Sequence, residues 1–199
     1  MMFATDRDVL ALSPRVFNEC AWAGQRRVSG TGTITGAALT MTASDVTLEA
    51  AGVDAGHVAL IDDVPHELLA RTGPSAIGIS RVRSRPEDAP IPPAPGTGRQ
   101  VRIVTFAPQL AAAHARILTA AGLESSDESR IVNGSELAML EAVWALSAIW
   151  AGARGIGDTS ATERAAWFHR EVGVLRSRMR VRLDTGEERT LTGLRLVRE

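Results

Sequence analysis

The residues of this chain that could carry chemistry are four histidines, one cysteine, a run of glycines and an arginine-rich end. A metal centre needs ligands clustered at short spacing. His57, His66, His114 and His169 are scattered, and none stands at helical spacing from another. His57 and His66 could meet across a hairpin, but two imidazoles alone do not make a site. His114 falls on an apolar stripe and reads as a satisfied core histidine. No motif surrounds Cys20, which reads as a small buried thiol on a helix. With one cysteine no internal disulfide can form, and that suits a reducing compartment.

Phosphate and acyl chemistry have no anchor either. Gly30-Thr31-Gly32-Thr33-Ile34-Thr35-Gly36 carries three glycines, but no lysine follows and the flanks read as strands, so these glycines serve tight turns or bulges. No Gly-x-Ser-x-Gly elbow occurs. Asp62-Asp63 with Glu67 could pair carboxylates, yet adjacent turn residues point apart and turns favour Asp. Arg178, Arg180 and Arg182 fall on one side of a C-terminal strand, because side chains alternate. Such a strand suits phosphate. No aromatic residue interleaves for base stacking, so an interface ion-pair set or a solvated face is the better reading. An edge strand there could also pair with a partner's strand. The residues predict no catalytic group, no metal, no cofactor and no enzyme.

The elements that must position these residues follow from composition and pattern. The chain has 199 residues, 45% hydrophobic and 23% charged, with a net charge of −1. That is enough for one larger domain or two small ones, and the balance predicts no bulk attraction to nucleic acid or membrane. Lysine and tyrosine are absent while Ala, Gly and Arg abound, which points to genome bias. Arginine in place of lysine favours planar, bidentate ion pairs. No run of ~18 uncharged apolar residues predicts a membrane span, and the first residues lack the basic start and apolar run of a signal peptide.

Residues 1–26 predict two short helices packing with a helical body. Residues 27–83 alternate over five short runs and predict a small five-stranded β-barrel or sandwich. Residues 84–105, with Pro86, Pro90, Pro92, Pro93 and Pro95, read as a stiff linker. Residues 106–199 predict the helical body and a β-hairpin tail turning at Asp184-Thr185-Gly186-Glu187. Within it, 134–152 is apolar on more than one side and must be covered on both, as the central helix or in a subunit contact. Asn133-Gly134-Ser135-Glu136 resembles a capping box. The predicted class is α+β, a helical body with an inserted β module.

The stretches Thr5-Asp6-Arg7-Asp8-Val9-Leu10, Trp22-Ala23-Gly24-Gln25-Arg26 and Val104-Thr105-Phe106-Ala107-Pro108-Gln109-Leu110 resemble those of structural proteins of tailed phages and prophages. The helical part resembles the head–tail connector, or adaptor, proteins. The resemblance implies a virion protein assembled in the bacterial cytoplasm. It implies a ring homo-oligomer of ~12 copies, docked between portal protein and a neck or tail protein around a channel that carries DNA without sequence readout. The β module departs from adaptors that are almost wholly helical. Interface residues expected on this reading are Arg178, Arg180, Arg182, Arg195, Arg198 and Trp150. A tail-terminator or tail-tube component, or a bacterial ligand-binding module using the β module as its pocket, are the alternatives.

Overall fold

The computed structural model describes residues 2–20, 24–153 and 159–191. The chain forms two compact units, one of Asp6–Phe106 and one of Met1–Thr5 with Ala107–Glu199.

The first unit opens with α1 (Asp6–Leu12) and α2 (Val16–Glu19). Six strands follow: β1 (Gln25–Thr35), β2 (Ala38–Ser44), β3 (Val58–Ile61), β4 (Val64–Gly73), β5 (Ala76–Ser80) and β6 (Gly96–Thr105). They close an antiparallel barrel in the order β1-β2-β5-β4-β3-β6. This corrects the predicted fold class of a helical body with an inserted five-stranded module. Helices hold a minority of the residues, the largest sheet is a closed six-stranded barrel, and its sixth strand lies inside the stretch 84–105 expected to be a proline-rich linker. The prolines stop at Pro95, and the strand that follows alternates over 100–103, with Val101 and Ile103 inward and Gln100 and Arg102 outward. Ile103 sits opposite Val28 on one neighbour and Ala59 on the other. Without β6, both β1 and β3 would be open edges.

Inward-facing Val28, Leu39, Leu68, Ile77, Ile79, Val101 and Ile103 fill the barrel interior. The glycine run serves the bulge expected of it. The ladder between β1 and β2 shifts register at Thr31/Gly32, and a Cβ on Gly30 would lie 2.0 Å from the Ala43 carbonyl oxygen. Asp62 and Asp63, at φ 48° and 64°, form the tight turn between β3 and β4. The helices are tied on by polar and aromatic contacts: Asp6 accepts the Phe106 N–H at 2.7 Å, and Phe17 meets Phe106 edge-on at 5.0 Å.

The second unit holds α3 (Ala107–Ala120), a 3-10 turn (Ser125–Arg130), α4 (Gly134–Gly152), α5 (Thr159–Arg178) and a separate two-stranded sheet, β7 (Arg180–Arg182) with β8 (Glu188–Thr190). α4 is buried on nearly every side between α3 and α5, through Leu137, Leu140, Leu146, Ile149 and Trp150. Gly122, at φ 67°, ends α3 in the left-handed conformation a helix C-terminus favours. No helix among the described residues is long and apolar enough to cross a membrane.

Candidate functional site

Three of the arginines singled out from the sequence converge. Arg178, Arg180 and Arg182 line a hollow of about 580 Å³ together with Glu136, Leu137, Met179 and Glu188. The hairpin is placed there by Asn133, whose side chain is buried. Its amide donates to the Arg180 carbonyl at 2.8 Å, and its oxygen accepts the Arg182 N–H at 2.9 Å. That is why the predicted capping box does not form. Asn133 makes no side-chain bond to the backbone of α4, being committed to the hairpin.

The three guanidiniums differ in what they already do. Arg180 donates to the carbonyls of Ser177 and Met179, at 3.2 and 2.8 Å, where α5 leaves acceptors unsatisfied and its dipole is negative. Arg182 is ion-paired with Glu136. Arg178 is exposed in the last turn of α5 and makes no ion pair among the described residues. Three cations against Glu136 and Glu188 leave the hollow net positive, suited to a carboxylate or phosphate. Arg195 and Arg198 lie outside the described residues. Trp150 is elsewhere: it is 2% exposed in the core of the helical unit, with the Arg164 guanidinium 4.6 Å above its ring. The exposed tryptophan is Trp167, at 52%. It stands seven residues before exposed Val174 and so on the same face of α5.

A second polar centre went unseen in the sequence. Glu141 is 0% exposed in the middle of α4. It accepts the N–H groups of Phe3 at 3.1 Å and Ala4 at 3.3 Å, and lies 2.9 Å from Nδ1 of His114. Burial pushes its carboxyl above the usual range, and the bonds from His114, Phe3 and Ala4 partly offset that. The Phe3 ring stacks at 4.5 Å on His114, whose Nε2 lies 3.5 Å from Glu128. A hollow of about 790 Å³ runs alongside, lined by Met2, Phe3, the 3-10 turn and the start of α4. The sequence signal was a lone carboxylate inside the apolar run 137–150. His114 is buried as expected but only half satisfied: Nδ1 is bonded to Glu141, while Nε2 is buried without a hydrogen bond among the described residues.

The remaining candidates do not converge. Glu67 is buried and tied to both the backbone and the guanidinium of Arg83, with Arg7 at 3.6 Å, which pins the loop after β5. The His66 ring bonds the Val64 carbonyl oxygen at 2.8 Å, and burial holds its pKa below the usual value. Bonds from the N–H groups of Ala55 and Arg71 hold Asp54 low. His169 is exposed on α5 and Cys20 is buried. Among the described residues no three potential ligands group to hold a metal ion. Compared with protein-family models, curated proteins and solved structures, the chain matches none.

Proposed function

We propose that this chain is a structural subunit of the head–tail neck of a tailed phage, a ring-forming adaptor that binds portal protein on one side and a neck or tail protein on the other. The observation that carries the reading is the arginine-lined hollow at Arg178, Arg180 and Arg182. It is a preformed positive surface, fixed by Asn133, on a unit whose outer helix also exposes Trp167 and Val174. Exposed aromatics and arginines are the residue types that interface anchors favour. A ring subunit needs two different patches, one for each neighbour. The barrel unit supplies exposed apolar residues of its own in Val64 and Ile91. The sequence stretches that resemble phage structural proteins add the identity of the assembly.

Quantitative mass spectrometry of purified, nuclease-treated particles tests the reading. About 12 copies per particle, one closed ring, is the expected result. Many rings' worth would transfer the chain to the tail tube, and absence from particles would overturn the virion assignment. Arg178→Glu is the cleanest interface variant, since Arg180 and Arg182 also hold α5 and Glu136. It should leave the fold intact and reduce assembly.

A further inference from the structure

Met2–Ala4 precedes the barrel unit in sequence, yet it belongs to the unit built from residue 107 onward. Two successive N–H groups, of Phe3 and Ala4, donate to the two oxygens of Glu141. The Phe3 ring lies on His114. The same ring covers Gly134 so closely that an added Cβ would come within 2.9 Å of it. Beside Phe3 the hollow leaves one flank of this strap unfilled.

Glu141 favours an occupied socket. A fully buried carboxylate that loses its donors carries the whole desolvation penalty uncompensated. An emptied socket keeps only the His114 bond and is destabilised, and extended backbone with two consecutive N–H groups restores what it loses. The occupant whose fit is already demonstrated is this same strap, ring against glycine and amides against carboxylate. A second copy of the chain supplies it without losing a single bond.

We propose that the strap and its socket form an exchangeable clasp, in which Met2–Ala4 of one copy seats on Glu141, His114 and Gly134 of the next. Exchange of an identical element is a low-cost route to assembly, and passed head to tail it generates a closed ring. It deepens the neck reading by naming what joins one subunit to the next. Reach limits it: the five residues before α1 span at most about 17 Å when extended, so the neighbour's socket must lie within that distance of the α1 start.

The test is a disulfide between strap and socket, Phe3→Cys with Gly134→Cys in one chain carrying Cys20→Ala. After oxidation, a denaturing non-reducing gel of the assembled protein should show a ladder of linked chains, and dilute protein a single monomer-sized band. A monomer-sized band alone from the assembled protein overturns the proposal, as does a protein that stays monomeric at every concentration. A second measurement uses the unmodified chain with an excess of the acetylated peptide Met-Phe-Ala-Thr-Asp-Arg-Asp. Loss of the oligomer peak is expected, and an unchanged peak counts against exchange. Particle copy number judges the neck reading separately, so the two can fail independently.

Discussion

At Glu141 an ionisable group is placed where water cannot reach it, and the consequence is a dependence on pH. Its carboxyl, like that of buried Asp6, is raised chiefly by desolvation. A raised carboxyl contributes stability that is fully present below its unfolded value and is lost as pH rises through the folded one. Glu141→Gln removes that titration. Urea midpoints compared from pH 4.5, the ordinary value of this group, upward should drift in favour of the variant. A constant difference would show that Glu141 is not desolvated. The two tryptophans invite a second comparison. Trp150→Ala should cost about 4 kcal/mol, as expected for an aromatic removed from a packed core, while Trp167→Ala should stay within about 0.5 kcal/mol and weaken assembly instead. Thermal melts and particle yields separate them. The sequence placed Trp150 at an interface because its helix is apolar on two sides. Periodicity does not say whether the second side is covered by the chain itself.

Among the elements, those defined by local pattern were legible and those defined by long-range pairing were not. Five strands showed as alternation bounded by turns, and the glycine bulge, the Asp62-Asp63 turn and the stripe of α3 were readable in the same way. β6 was not, because its outward half is polar and it follows a run of prolines. Only pairing with β1 and β3, far away in sequence, reveals it as a strand. Of the candidate site, the alternation of Arg180 and Arg182 was legible. The Asn133 bonds that aim the hairpin, and the capture of Phe3 and Ala4 by Glu141, join residues too distant in sequence for a local pattern to show. Asn133→Ala tests the hairpin as an element. It should cost about 2 kcal/mol for two part-buried hydrogen bonds, and hydrogen exchange at Arg182 should speed up while amides in α3 stay protected.

For the whole molecule, two units joined at residues 5/6 and 106/107 give two cores that can be damaged separately. Ile103→Asp puts a charge inside the barrel at its closing strand. The β signal in circular dichroism should be lost, while the fluorescence transition from Trp144, Trp150 and Trp167 persists. Simultaneous loss of both would mean that the units fold as one. The clasp also fixes an order in time. The strap leaves the ribosome well before its carboxylate, which is made 138 positions after Phe3. At roughly 5–20 residues per second, the barrel can close once Thr105 has emerged, and the start of the chain then waits some seconds for Glu141. On a polysome, where copies are born side by side, each waiting strap has a neighbour's newly finished socket within its choice.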